Sequence, residues 1–345
     1  MNTKILNASQ IDIAAQIINN GGLVAIPTET VYGLAANAFD SNAVSKIFKA
    51  KGRPSDNPLI VHISDINEIY RLVLDFPKKA QDLAFKFWPG PITIILKKSD
   101  VIPNVVSGNL DTVAIRMPDN DLTRKLIKIS GKPLAAPSAN LSGSPSPTTM
   151  KHVLDDLNGK IDAIIDGGNC KVGLESTVIT LASEKPRILR PGGITKEQIE
   201  SVIGDIEIDK GVLSKIDDDK KVISPGMKYK HYSPNARVII IKSNKQNYIN
   251  YVNNKLTNNS IALCYNEDME YIKGKSISYG NESDSESQAR QLFNSLRSID
   301  KMEEINLVYA RCPVLDGVGL AVYNRLIRAA GFEVVSIDEN NRFNR

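Results

Sequence analysis

The chain has 345 residues, and 43 Lys and Arg set against 39 Asp and Glu leave a formal charge of +4. With 42% hydrophobic and 24% charged residues it has an ordinary globular make-up and, at about 150 residues per domain, length for two domains; a disordered, collagen-like or disulfide-stapled chain is excluded. No run approaches the roughly 18 apolar residues of a membrane span, residues 1–10 lack a signal-peptide pattern, and the charge excess names no nucleic acid as partner.

Ser9 is placed to cap a first helix whose apolar stripe is Ile11, Ala14, Ala15 and Ile18, and Gly21-Gly22 ends it. A short buried strand follows at 23–26. Ser41 is placed to cap a second helix through Val44, Ile47 and Phe48, which stops near Gly52-Arg53-Pro54. Further strands are predicted at 59–63, 92–96, 113–117, 134–136, 163–165, 177–181 and 188–189, with helices at 78–87, 122–129 and 148–157. The mixture predicts an α/β unit, a sheet with helices against it. Residues 205–235 differ in kind. They carry the acidic run Asp217-Asp218-Asp219, then Ser224-Pro-Gly-Met-Lys-Tyr-Lys-His-Tyr-Ser-Pro234, and read as an extended connection between domains. From Arg237 onward alternation returns, with strands at 238–241, 261–265, 305–309 and 334–337 and helices at 246–256, 285–299 and 320–330. That pattern predicts a smaller α/β unit with a largely parallel sheet.

Several familiar signatures are absent. Gly168 and Gly173 are spaced as in a phosphate loop, but Leu174-Glu175 stand where Lys and Ser or Thr are needed. Gly317-Val-Gly319 precedes a helix, yet Val322 replaces the third glycine of a dinucleotide fingerprint. His62, His152 and His231 include no HExxH motif, and no serine sits in a nucleophile elbow. Cys170, Cys264 and Cys312 are odd in number, far apart and in no CxxC pair, so a reducing, cytoplasmic setting is expected and no paired-cysteine zinc site.

What the chain offers is polar clusters at strand ends: Pro27-Thr-Glu-Thr-Val-Tyr-Gly33, residues 49–58, Pro137-Ser-Ala-Asn140 with residues 142–148, Glu175-Ser-Thr-Val178 and Arg190-Pro-Gly-Gly193. In open α/β sheets ligands bind where such loops converge. Taken singly each cluster reads as a capped turn; five in one domain read as a site. Their cations suggest the ligand. Lys51 and Arg53 flank one glycine before Pro54 and are expected on a fixed, non-helical segment. Arg116 lies inside the apolar strand Val113-Ala-Ile-Arg-Met117, where a charge needs a partner, and Arg190 ends another strand. Cations from separate segments can cradle a polyphosphate without a glycine loop.

Taken in order, Pro27-Thr-Glu-Thr-Val-Tyr-Gly-Leu34, Lys51-Gly-Arg53, Asn57-Pro-Leu-Ile-Val-His62, Pro137-Ser-Ala-Asn140 and Ser176-Thr-Val178 resemble the YrdC family of threonylcarbamoyl-AMP synthases, which act in tRNA modification. The resemblance implies a YrdC-like twisted mixed sheet with helices over residues 1–204. Residues 205–235 would be the linker and active-site lid of the longer family members, and 236–345 a Rossmann-like C-terminal domain. It implies a cytoplasmic nucleotidyltransferase that joins L-threonine, bicarbonate or CO2, and ATP into threonylcarbamoyl-adenylate and pyrophosphate. A downstream tRNA threonylcarbamoyl-transferase machinery then modifies N6 of adenosine 37 in tRNAs reading ANN codons. Weak RNA binding is compatible with this, and no membrane is involved.

Carried over position by position, Thr30, His62, Arg116, Ser138 and Ser176 should surround threonine. Lys51, Arg53, Asn57, Thr112, Asn140, Ser146, Thr148, Arg190, Tyr229 and His231 should contact ATP, with Lys51 and Arg53 catalytic at its phosphates. Mg2+ would accompany ATP, held by phosphate oxygens with few or no protein ligands, so no ligand set is named. The amine must attack CO2, and the carbamate must then attack the α-phosphorus. That chemistry asks positioning and charge neutralisation of the protein rather than a covalent intermediate. Both intermediates are labile in water, so the linker is expected to close over the site, with Pro225-Gly226 as its entry and Tyr229, His231 and Tyr232 as contacts; the plain alternative is a passive tether. Two other functions compete. One is an RNA-binding module with a concave basic surface. The other is a carbamoyl-transfer domain like those of hydrogenase maturation, which arrive with cysteine pairs that this chain lacks.

Overall fold

Asn7 and Asp40 decide where the first helices begin. The Asn7 side chain accepts the Ser9 backbone N–H and sets a 3-10 turn over Ala8–Gln10, from which α1 (Ile11–Asn19) continues. Asp40 accepts the N–H groups of Asn42 and Ala43 and caps α2 (Ser41–Lys51). The caps expected at Ser9 and Ser41 are thus displaced. An amide or carboxylate just outside the turn reaches the orphan N–H groups, and both serines fall inside it. Lys51 is also corrected: it is the last residue of α2, and Gly52 ends the helix with a φ of 62°. Only Arg53 lies on the non-helical segment expected for both.

The computed structural model describes residues 2–214, 232–337 and 343–344. Tyr229, His231 and most of the expected lid lie outside the described residues. The chain falls into two units. Among described residues the first holds 2–142 and 146–212, and the second holds 143–145, 213–214 and those from 232 onward.

The strands of the first unit are β1 (Lys4–Leu6), β2 (Val24–Ile26), β3 (Gly33–Asn37), β4 (Ile60–His62), β5 (Ile92–Lys97), β6 (Thr112–Arg116), β7 (Leu134–Ala135), β8 (Ala163–Ile165), β9 (Thr177–Thr180), β10 (Arg187–Arg190) and β11 (Glu207–Ile208). Its further helices are α3 (Ile69–Leu72), α4 (Lys78–Phe87), α5 (Asn104–Ser107), α6 (Asp121–Ser130), α7 (Met150–Leu157) and α8 (Lys196–Ile203). One mixed sheet results, in the order β1-β8-β2-β3-β7-β4-β6-β5-β9-β10-β11. β1 and β3 were not anticipated; Gly33-Leu-Ala-Ala-Asn37 is small and apolar throughout and shows no alternation. β11 pairs in parallel with β10, so the sheet extends past Gly204 into the stretch read as connection.

Alternation divides the sheet into two faces. Val61 of β4, Ile94 and Leu96 of β5, Val113 and Ile115 of β6 and Ile179 of β9 join the large core with Phe48 of α2 and Leu83 of α4. Their neighbours Ile60, Ile95, Ala114, Val178 and Leu189 form a separate small cluster on the opposite face. Each of these strands therefore secures the large core with one set of residues and a second, smaller apolar cluster with the other.

The second unit has β12 (Arg237–Lys242), α9 (Lys245–Lys255), β13 (Ser260–Cys264), β14 (Ser276–Ser278), α10 (Ser285–Asp300), β15 (Leu307–Arg311), α11 (Gly317–Ala329), β16 (Val334–Ile337) and β17 (Phe343–Asn344). Its six-stranded sheet, β14-β13-β15-β12-β16-β17, is parallel except for the last pair. This is the α/β arrangement that the sequence predicts.

Candidate active site

Registry brings His62, Arg116, Ser176 and Arg190 to one end of the central strands. His62 and Arg116 are the last residues of the parallel strands β4 and β6 and pair directly. β5 and β9 begin at the same end: Ile92 pairs with Thr177, and Ser176 lies just before β9. Arg190, the last residue of β10, pairs with Val178 at that end too. Gly192 makes the close approach possible, because a Cβ there would lie 2.3 Å from the Thr177 nitrogen and 2.6 Å from the Ser176 carbonyl carbon.

Arg116 is buried and held by three neighbours. Its Nε donates to the Gly90 carbonyl at 3.2 Å and its Nη1 to the Thr30 hydroxyl at 2.9 Å. Its Nη2 lies 2.6 Å from Glu29 Oε1, an ion pair in which both side chains are 4% exposed. The pair is a close charge contact without hydrogen-bond alignment. The partner that Arg116 was expected to need is thus in the protein itself. Unused guanidinium N–H groups remain for an incoming carboxylate. The Thr28 hydroxyl lies 2.8 Å from that of Thr30 and donates to the Val31 carbonyl, fixing the 28–31 turn. His62 is buried beside Arg116; desolvation first, then the guanidinium charge, push its pKa down to about 3. Its ring is therefore neutral across the physiological range. Ser176 Oγ is 2.7 Å from Thr93 Oγ1, while Arg190 donates to Ser176 through Nε to the carbonyl and Nη2 to the hydroxyl.

A second group lies on loops at the other end of β4, before Ile60 and after β7. Lys51, 3% exposed, donates from Nζ to the Ser138 carbonyl at 2.5 Å and the Asn140 carbonyl at 2.6 Å. It acts as a clamp on the 138–140 loop. Arg53 Nη2 reaches the carbonyls of Asn57 and Pro58, both at 3.3 Å. Asn57 is fully buried, and among the described residues neither its Oδ1 nor its Nδ2 has a hydrogen-bond partner. A buried amide left open in this way calls for an incoming group. Ser146 donates to Glu175, and the Thr148 backbone N–H points to His152 Nδ1 at 3.3 Å. Thr112, at the start of β6, is at that same end of β4, about 13 Å of strand from Arg116, and in register with Lys97. It shares the site-bearing face with Ala114 and Arg116.

Sequence reasoning missed Glu29, Thr93 and Glu175 as members of these networks. Thr93 carried a signal: it is the one hydroxyl in the run Ile92-Thr-Ile-Ile-Leu96. No group of three or more His, Cys, Asp or Glu able to hold a metal occurs among the described residues.

Comparison with known proteins is decisive. The family described as Telomere recombination, comprising Sua5, YciO and YrdC, matches residues 16–192, and the C-terminal domain of threonylcarbamoyl-AMP synthase matches residues 194–331. Two relatives called threonylcarbamoyl-AMP synthase align almost throughout: one from Bacillus subtilis, 47% identical over 95% of each chain, and one from Pyrococcus abyssi, 45% identical over 95% of this chain and 96% of its own. The chain belongs to this family. The crystal structure of P. abyssi Sua5 complexed with L-threonine superposes with a TM-score of 0.90 at 44% identity, covering 97% of this chain and all of that one. The expected fold, a YrdC-like sheet domain followed by a family C-terminal domain, is therefore the fold of the family. No helix among the described residues is long and apolar enough to cross a membrane.

Proposed function

We propose that this synthase makes L-threonylcarbamoyl-adenylate and pyrophosphate from L-threonine, bicarbonate or CO2, and ATP, with the two residue groups as its threonine and nucleotide subsites. The observation that carries the reading is the convergence of Thr30, His62, Arg116 and Ser176 at one end of β4, β6 and β9, on the face opposite the core.

In this reading the remaining N–H groups of Arg116 receive threonine's carboxylate. Neutral His62 and the hydroxyls of Thr30 and Ser176 offer hydrogen bonds to its polar atoms, with Ser138 on the adjoining loop. Lys51 holds the Ser138–Asn140 backbone in place and, with Arg53, offsets the charge that develops on pyrophosphate. Asn57, Thr112, Asn140, Ser146, Thr148 and Arg190 contact the nucleotide, which spans the sheet face from Arg116 toward Thr112. ATP enters as its magnesium complex. Mg2+ prefers phosphate oxygens and retained water as its ligands, so no protein ligand is assigned to it.

The product passes to a threonylcarbamoyl transferase that modifies adenosine 37 of tRNA. The catalytic domain is 1–204 extended by β11, and residues 236–345 form the second domain. Three free cysteines suit a cytoplasmic enzyme. A general RNA-binding surface fits less well, since Arg116 faces Glu29 and Lys51 is held by carbonyls. The test is pyrophosphate release that requires both threonine and bicarbonate. Release without threonine points to a different carbamoyl chemistry, and no release to a binding module.

A further inference from the structure

Threonine arrives as an ammonium ion, and its nitrogen can attack CO2 only after losing a proton. Two titratable side chains flank Arg116, and they are not equivalent. His62 is held neutral by burial and by the Arg116 charge, and its Nδ1 lies 3.2 Å from the Ile60 carbonyl of its own strand. Glu29 is buried at 5% exposure, with Oε1 beside Arg116 and no hydrogen bond to Oε2. Buried carboxylate oxygens without a donor are uncommon, and this one lies in the cluster read as the threonine subsite. Glu29 also lines a cavity of about 260 Å³ whose wall includes the exposed Asp119, Asp121 and Lys171. The remaining neighbour, Cys170, has its thiol pushed up to about 12 by burial and by the Glu29 charge, and stays protonated.

We propose that Glu29 is a catalytic residue of the synthase: its open Oε2 accepts a hydrogen bond and then a proton from threonine's α-ammonium, while Arg116 holds the carboxylate in place. The proposal rests on the synthase reading above. The proton moves from nitrogen to Oε2, leaving a free amine and a carboxylic acid. The nitrogen lone pair then forms the N–C bond with CO2 as one C=O electron pair moves onto oxygen. The second nitrogen proton and the one held by Glu29 both pass to water before the next turnover. Ammonium and CO2 thus become a carbamate and two released protons.

Wild-type pyrophosphate release that depends on threonine and bicarbonate checks the synthase reading independently. With that established, E29Q, which keeps the side-chain shape, is expected to lower turnover at pH 7 by roughly a hundredfold. The deficit should shrink several-fold at about pH 9, where much more of the dissolved threonine is free amine. A structural role would give a deficit independent of pH. E29Q with wild-type turnover at pH 7, or with an unchanged deficit at pH 9, overturns the proposal. If E29Q does not fold, E29D carries the same comparison: turnover falls with a loss that shrinks at pH 9, and a constant loss or none overturns it.

Discussion

His62 and Arg116 end neighbouring parallel strands and face one another across the pairing, one ring neutral and one guanidinium charged. The folded protein therefore resists protonating His62, while the unfolded chain takes the proton near pH 6.5. As pH falls below 6.5 the unfolded state binds more protons, so stability is lost on acidification toward pH 3 and fully present above 6.5. Urea unfolding should show about 1 kcal/mol lost from this residue between pH 6.5 and 5.5, the slope approaching about 1.4 kcal/mol per pH unit below that. His62→Gln should flatten that slope, and an equal slope in the two proteins would refute it.

Lys51 and Arg53 should separate in their effects. Lys51→Ala should cut turnover more than tenfold, at least about 1.4 kcal/mol, and also lower folding stability by about 1–3 kcal/mol, because two loop carbonyls lose their buried donor. Arg53, half-exposed, should show a similar kinetic loss with little change in unfolding midpoint. Wild-type rates in both variants would remove the phosphate-cradle assignment.

Asn57→Leu offers the opposite trade. Removing a buried amide that has no partner should leave the free protein equally stable or more so, by about 1–3 kcal/mol. ATP KM should rise by tenfold or more. Thermal melts paired with ATP titrations read both, and a destabilised variant with normal KM would place Asn57 among structural residues.

Thr93→Val tests a position the sequence pointed to only faintly. The valine fills the same space but gives Ser176 no hydroxyl partner. Threonine KM should rise several-fold, corresponding to the roughly 1 kcal/mol of one hydrogen bond, with ATP KM unchanged. An equal rise for both substrates would mean the strand itself had moved.

The polar clusters at strand ends were legible because short loops between apolar strands leave hydroxyls, amides and cations little structural reason to gather. Arg116 was legible as a charge in need of company, but Glu29 was not identifiable as that company, since the two meet only when the 28–31 turn reaches the end of β6. Lys51 was misread because Lys-Gly-Arg-Pro looks like loop, whereas a left-handed glycine at a helix end leaves the residue before it helical. β3 escaped notice for want of bulky alternating side chains. The strand order, joining residues far apart in sequence, lies beyond periodicity altogether.

β6 deserves to be read one residue at a time. Val113 and Ile115 hold the core, and between and after them Ala114 and Arg116 face the other side of the sheet, where Arg116 reaches Thr30. A saturation scan of these positions, scored once for abundance and once for turnover, should therefore produce two interleaved records. Substitutions at Val113 and Ile115 will deplete the protein, and those at Arg116 will silence it while the cell still makes it. A variant found in this strand can then be sorted into loss of protein or loss of chemistry from its parity alone.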